Sequence, residues 1–375
     1  MLAERFDILD KVRALHPGGL TTLSIGVGHG GKTLQECHQM ARESIDIALG
    51  RGGDQAAVKT VDGFEFYGGI SHGVEKRSHV RSRIIANALC DLIKRSDSVI
   101  IMGHRMSDLD AVGSAIGVLR ICKMCDVPAV IAINSEATLA GPLLKTFLDA
   151  GEGHDFIAPD QTLDVITPNT LLIVVDTYQK RLLESQQIYE KCKRVVVIDH
   201  HRRSSDFIQK PLLTYTETSS SSTSELVTEL LQYFQEDVDL AKIEATALYA
   251  GIVVDTKNFA VQTGVRTFDA ASYLRRCGAD PDIVRDLFSC DFDTVKDRAA
   301  ILSGARIKDG IAVASCPKGQ ANAMIIAAQA ADALVNIDKV EASFTFYYLD
   351  DGYIGVSARS RGDINVQLVM EAIGG

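Results

Sequence analysis

Six residues of this chain have the types and spacing to do chemistry: His104, Asp108, Asp110, Asp176, His200 and Asp255. Four carboxylates and two imidazoles make a mixed oxygen and nitrogen donor set, which suits Mn²⁺, Mg²⁺, Fe²⁺ or Co²⁺ better than a thiolate-preferring structural zinc. His104, Asp108 and Asp110 fall within seven residues, and carboxylates gathered so closely repel one another unless a cation lies between them. Six ligands are too many for one ion with an open coordination position. Two ions about 3.5 to 4 Å apart, bridged by a shared carboxylate, would use them all and are built for in-line displacement at phosphorus. Hydrolysis of a phosphoester or phosphoanhydride is the reaction this set points to. The competing reading of residues 98–117 is an Asp-rich loop that caps a helix.

The residues around these ligands indicate what must hold them. The apolar run Val99 to Met102 precedes His104, and a small-residue helical pattern follows Asp110. Further strand-like runs, Ala129 to Ile133, Leu171 to Val175 and Val195 to Ile198, alternate with helical stretches, as in a parallel sheet covered on both faces. Such sheets bind ligands at the carboxyl ends of their strands. Asp176 follows Val175 directly, and Asp199, His200 and His201 follow Ile198. Asp255 ends the apolar segment 243–254, whose period fits helix or strand and whose Ala content and length favour helix. Ser222 and Glu225 stand at capping-box spacing at the end of the run Thr218 to Ser224, which predicts a helix start and a candidate phosphate-binding position.

Residues 1–67 read as a helix (Phe6 to Leu15), a strand (Thr21 to Val27), a helix (Thr33 to Leu49) and two strands (Ala56 to Thr60, Gly63 to Tyr67). This is too little for a complete α/β sheet, so we expect the tail of a domain that begins ahead of the chain. Residues 68–97 are Gly-rich and then basic (Lys76, Arg77, His79, Arg81, Arg83), a linker leading into a helix over Ile84 to Lys94. Residues 98–280 form the ligand-bearing α/β domain, 281–300 a helical connector, and 301–375 a smaller α/β domain. In the last, strands Gly310 to Ser315 and Ser343 to Leu349 flank a helix over Ala321 to Leu334. Asp351-Gly352 signals a hairpin whose returning strand, Tyr353 to Ala358, delivers Arg359, Ser360 and Arg361 to its far end.

A formal net charge of -10 argues against gripping long nucleic acid, which needs clustered Lys and Arg. Eight cysteines without a framework of paired spacings, and no signal peptide, predict reduced thiols in the cytoplasm. Cys122-Lys-Met-Cys125 has no second pair to complete a zinc site. No apolar run reaches the ~20 residues a membrane span requires, so the chain as given is expected to be soluble.

His-x-x-x-Asp-x-Asp at 104–110, the strand-terminal Asp176, Asp199-His200-His201 and Asp255-Thr256 together resemble all four signature motifs of the DHH phosphoesterases. The strand Leu23 to Gly28 and the following helix, ending Ala48-Leu-Gly-Arg-Gly-Gly-Asp-Gln55, look like the last third of a degenerate GGDEF domain. Gly52-Gly53-Asp54-Gln55 lies after the second helix rather than in an earlier hairpin, so it is read as a turn and not as a cyclase signature. With Ser-Ser-Thr-Ser-Glu-Leu (221–226) and Arg-Ser-Arg-Gly-Asp-Ile-Asn-Val (359–366), the whole chain resembles the GdpP-type cyclic-di-AMP phosphodiesterases. The resemblance implies two Mn²⁺ ions, one held by His104, Asp108 and Asp176, the other by Asp110, Asp176, His200 and Asp255. Asp176 would be the bridge, Asp199 would orient His200, and His201 would face the substrate phosphate.

The resemblance further implies a DHH-associated domain over 301–375 whose Arg359, Ser360 and Arg361 face phosphate, with Ser222 as a further substrate contact. The family's Gly-Gly-Gly-His segment has no counterpart, since the chain stops at Gly374-Gly375. Full-length members carry amino-terminal membrane helices and a sensory PAS domain, so a soluble fragment of a membrane-anchored, cytoplasm-facing homodimer is expected. The expected activity is hydrolysis of a small cyclic dinucleotide, cyclic-di-AMP, to linear pApA. The alternatives are a nanoRNase acting on short linear dinucleotides, a pyrophosphatase, and a catalytically idle nucleotide sensor.

Overall fold

In the computed structural model the amino-terminal segment runs α1 (Ile8–Leu15), β1 (Ile25–Gly28), α2 (Leu34–Gly50), β2 (Gln55–Lys59) and β3 (Phe64–Gly68). β1 pairs parallel and β3 antiparallel with the central β2. Phe6 and Leu9 pack on Ala56 and Val58 to form a small core. Asp54 takes a left-handed φ of 54° in the turn between α2 and β2, as expected of a helix-ending turn. The structure describes residues 6–15, 23–50, 53–61, 63–68, 79–201, 206–234, 240–289, 291–349, 352–362, 364–366 and 369–370. Lys76 and Arg77 of the basic linker, the start of the Thr21 strand, Asp351 of the hairpin and Gly374-Gly375 lie outside them.

α3 (His79–Lys94) begins five positions before the expected Ile84 and leads into a six-stranded sheet. Its strands are β4 (Val99–Met102), β5 (Ala129–Ala132), β6 (Phe156–Ile157), β7 (Leu171–Val175), β8 (Arg194–Asp199) and β9 (Leu213–Thr216). Between and after them come α4 (Leu109–Met124), α5 (Gly141–Asp149), α6 (Pro159–Thr162), α7 (Gln186–Lys191), α8 (Thr223–Phe234), α9 (Lys242–Asp255), α10 (Val265–Arg276) and α11 (Pro281–Leu287). The strand order is β6-β5-β4-β7-β8-β9, with every neighbouring pair parallel. Side chains alternate across the sheet. Val99, Ile101, Leu171, Ile173 and Val175 enter the core shared with α3, α4, α8 and α9, while Ile100, Met102, Leu172 and Val174 enter a smaller core on the other face. That is why these strands are apolar throughout.

The order reverses between β4 and β7. From β4 the chain steps outward to β5 and β6, then returns to β7 and continues outward on the other side. The crevice beyond the strand ends at such a reversal is where α/β sheets place ligands. His104 to Asp110 leave β4 there, and Asp176 leaves β7.

The described residues divide into two compact units, 1–287 and 288–375. The stretch expected as one helical connector is two helices, α11 in the first unit and α12 (Phe292–Ser303) in the second. The second unit continues with β10 (Arg306–Lys308), β11 (Ile311–Ser315), α13 (Ala323–Val335), β12 (Ala342–Tyr348) and β13 (Ile354–Ser360). β12 and β13 form the antiparallel hairpin, with Arg359 opposite Ser343 and Ser360 opposite Ala342. Ala312, Ala327, Ala330 and Leu334 pack between α13 and the sheet. Among the described residues no helix is long and apolar enough to cross a membrane, and the described cysteines are free thiols.

Candidate metal centre

The site begins with two helices that touch backbone to backbone. A Cβ at Gly113 would stand 2.5 Å from the Ala247 carbonyl oxygen, and one at Gly251 would stand 2.1 Å from Ser224 Oγ and 2.9 Å from Asp110 Oδ1. Only glycine admits so close an approach of α4, α8 and α9. The contact brings Asp110, in the first turn of α4, toward Asp255, the last residue of α9.

The six expected ligands form two groups. In one, His104 Nε2 lies 3.5 Å from Asp176 Oδ2 and 4.0 Å from Asp108 Oδ1. His104 Nδ1 is 3.0 Å from the Arg105 carbonyl, which can only accept, so Nδ1 is the donor there and Nε2 is the nitrogen that faces the carboxylates. Asp108 also caps α4, Oδ1 accepting from the Asp110 and Ala111 amides at 2.9 and 3.1 Å. Cap and ligand are thus compatible roles for one side chain. In the other group, His200 Nε2 lies 2.9 Å from Asp255 Oδ2, 3.6 Å from Asp176 Oδ1 and 3.9 Å from Asp110 Oδ2. Asp176 belongs to the first group through one oxygen and reaches His200 of the second through the other. That second oxygen also lies 3.5 Å from His201 Nδ1, so that Asp176, His200 and His201 form a further cluster; the φ of Asp176 is a left-handed 59°.

The start of α8 serves this cluster. The Thr223 amide donates to Asp110 Oδ2 at 2.7 Å and the Ser224 amide to Oδ1 at 2.8 Å, so the helix terminus expected to receive a phosphate receives a carboxylate of the chain itself. The Thr223 hydroxyl donates to Asp176 Oδ1 at 2.9 Å. Ser222, expected at substrate, is fully buried and caps α8, its Oγ accepting from the Glu225 amide at 3.0 Å. The return arm of the capping box is displaced by one residue. Glu225 accepts from the Ser221 amide and hydroxyl, and from Ser220 and Thr267, rather than from Ser222. Thr223 had no signal of its own in the sequence beyond its place one residue after the cap.

Asp199 holds His201, not His200. The fully buried Asp199 Oδ1 accepts from the His201 amide at 3.0 Å and from ring Nδ1 at 2.9 Å. This turns the other ring nitrogen of the half-exposed His201 away from the carboxylate. Burial, the strongest influence, raises the Asp199 carboxyl, but the bond and charge of His201 outweigh it and hold it below its ordinary value. Burial lowers His201, yet Asp199 raises it above its ordinary value.

The electrostatics test the fit of a cation. Burial, and then repulsion from Asp255, push Asp110 up to about 6, and burial with the surrounding carboxylates pushes Asp176 well above its ordinary value. Burial alone would lower His200, but Asp255 and Asp110 beside it raise it to about 9. His200 Nε2 is buried without an aligned hydrogen-bond partner although three carboxylates surround it. Oxygen and nitrogen donors converging in this cluster, with protons driven on to offset the repulsion of its carboxylates, fit hard divalent metal.

Arg359, Ser360 and Arg361 lie in the second unit. Arg359 pairs with Asp332 at 2.9 Å, and Arg361 donates to the carbonyls of Val335 and Ile337 at 2.9 and 3.3 Å.

Comparison with known proteins gives three family matches: the DHH family, N-terminal domain over residues 98–252, the GGDEF domain of cyclic-di-AMP phosphodiesterase GdpP-like proteins over 1–66, and the DHHA1 domain over 308–375. The chain is 46% identical to the cyclic-di-AMP phosphodiesterase GdpP of Geobacillus thermodenitrificans, over 99% of this chain and 57% of that protein. It is 43% identical to the cyclic-di-AMP phosphodiesterase PdeA of Listeria monocytogenes, over 99% of this chain and 58% of that one. The chain therefore spans somewhat over half the length of these relatives. Among solved structures, an exopolyphosphatase-related protein from Bacteroides fragilis shares the fold, with a TM-score of 0.63 at 21% identity over 77% of this chain and 87% of that one.

Proposed function

The chain belongs to the DHH family, and on that premise we propose that it is a two-metal phosphodiesterase that hydrolyses cyclic-di-AMP to linear pApA. The observation that carries the proposal is the placing of Asp176, which is grouped with His104 and Asp108. It sets one oxygen 3.5 Å from His104 Nε2 and the other 3.6 Å from the Nε2 of His200, which is itself grouped with Asp110 and Asp255. The names of the two relatives supply the substrate. His104, Asp108 and Asp176 would hold one Mn²⁺, and Asp110, Asp176, His200 and Asp255 the other. When bound, the cations would supply Lewis-acid activation of water and neutralise charge developing at phosphorus.

The chain's own residues supply the rest. The Thr223 and Ser224 amides keep Asp110 aimed into the centre. His201 donates its Nδ1–H to the Asp199 carboxylate, which fixes the ring and leaves the other ring nitrogen to hold or pass a proton to the leaving oxygen of the substrate. Arg359, Ser360 and Arg361 are proposed as the phosphate contacts of the second unit, where a planar guanidinium can exchange a carboxylate partner for phosphate. Ser222, buried as a helix cap, drops out of the substrate set. The proposal includes the homodimer and the attachment to the cytoplasmic face of a membrane that the resemblance implies for the full-length protein. Sedimentation of that protein tests the first, and its distribution between membrane and soluble fractions the second.

The test incubates the protein with Mn²⁺ and, in parallel, cyclic-di-AMP, cyclic-di-GMP, pApA and pyrophosphate, and resolves the products by chromatography. Conversion of cyclic-di-AMP to pApA ahead of the others is expected. Intact cyclic-di-AMP beside cleaved pApA would replace the proposal with a nanoRNase.

A further inference from the structure

We infer that Thr223 is a positioning residue that orients Asp176, so that each oxygen of this carboxylate serves a different cation. The role rests on the two-metal reading above. A carboxylate on a single Cβ can rotate, and in most rotations both oxygens would turn toward the same neighbour. Here the Thr223 hydroxyl, fully buried, donates to Oδ1 at 2.9 Å. That bond leaves Oδ1 on the side of His200, 3.6 Å from its Nε2, and Oδ2 on the side of His104, 3.5 Å from its Nε2. The same residue fixes the second group through its amide, which holds Asp110 Oδ2 at 2.7 Å. One residue therefore ties the bridge and one terminal ligand to a single turn of backbone.

That turn is itself held rigid. Glu225, buried, accepts from Ser220 Oγ at 2.6 Å, Ser221 Oγ at 2.6 Å, the Ser221 amide at 3.2 Å and Thr267 Oγ1 at 2.7 Å. Four donors on one carboxylate satisfy it fully and bind the run ahead of α8 to α10. Thr223 thus orients its two carboxylates from a fixed base. Partners that orient metal ligands in this way typically change metal affinity by about 10- to 100-fold when removed.

The experiment measures Mn²⁺ rather than turnover. Thr223→Val keeps the shape and the backbone amide and removes only the hydroxyl; Thr223→Ser keeps the hydroxyl. Mn²⁺ titration by calorimetry, with electron paramagnetic resonance to detect spin coupling between paired ions, is run on both variants and the wild type, and thermal unfolding without metal verifies folding. In Thr223→Val the second ion is expected to bind about tenfold more weakly or worse and the coupled signal to be lost, while Thr223→Ser returns both to near the wild-type level. Wild-type stoichiometry, affinity and coupling in Thr223→Val overturn the role, as does equal weakening in both variants. A wild type that never binds a coupled pair overturns this role together with the two-metal reading. A wild type that binds the pair but leaves cyclic-di-AMP intact overturns the proposed substrate and leaves the role of Thr223 standing.

Discussion

Asp199 and His201 are joined twice, one carboxylate oxygen accepting both the ring Nδ1–H at 2.9 Å and the backbone N–H at 3.0 Å. The pairing raises His201 above its ordinary value. A proton donor with a raised pKa stays protonated to higher pH, so activity is lost on the basic side only as pH passes that raised value. Asp199→Asn removes the charge, and the basic limb of the kcat/KM profile should move to lower pH, with turnover reduced by about 10²-fold or more. Bound metal, read by elemental analysis, should not change. An unmoved basic limb would assign proton transfer to another group.

Asp176→Asn tests the shared ligand. Asp176 faces His104 through one oxygen and His200 through the other, at 3.5 and 3.6 Å. Losing one charge between two cations should leave fewer than two metals per chain after dialysis against Mn²⁺. Two metals retained in that variant would remove Asp176 from the bridging role.

The crowded centre sets how stability depends on pH. Asp110, raised to about 6, and His200, raised to about 9, both bind protons in the folded chain that the unfolded chain has released. Without metal, this part of the stability is therefore greatest at low pH and is lost as pH rises through about 6 and again through about 9. A cation must displace the same protons, so its effect has the opposite sign. The rise in Tm produced by saturating Mn²⁺ should grow steadily from acidic to mildly alkaline pH, as differential scanning fluorimetry can follow. A rise that shrinks with pH would place the cation elsewhere.

Gly251→Ala inserts a methyl where a Cβ meets Ser224 Oγ at 2.1 Å and Asp110 Oδ1 at 2.9 Å. Overpacking of this kind costs about 1–3 kcal/mol. Because the displaced atoms belong to the centre, Mn²⁺ affinity should fall along with the metal-free Tm. A normal Tm with normal affinity would show that α8 and α9 can separate freely.

What the sequence displayed and what it concealed follow from the range of each interaction. The candidate ligands after Val99 to Met102, Leu171 to Val175 and Val195 to Ile198 were visible because a short apolar run followed by an ionisable residue is a local pattern. Asp255 was visible because Ala and small residues filled the segment before it. β6, with two residues, and β10, with three exposed ones, are too short to show a period. β9 is an edge strand hidden beside the Ser/Thr run. Which of two adjacent histidines Asp199 holds depends on a turn closed from its side chain to the amide two residues on, a tendency of Asp that favours His201 over His200. The grip of Thr223 on Asp176 crosses between separate elements and leaves no trace in either segment.

The reversal of strand order between β4 and β7 also governs timing. Val99 lies beside Leu171, and the six candidate ligands are drawn from 104 to 255, so no short stretch of chain can capture a cation with the full set. Distant pairing of this kind forms slowly and must be complete before the centre exists. A cation that arrives only then does little to hasten folding and mainly slows escape from the finished state. Metal in this protein should act as a brake on unfolding, felt in the lifetime of the native molecule more than in how quickly it is made.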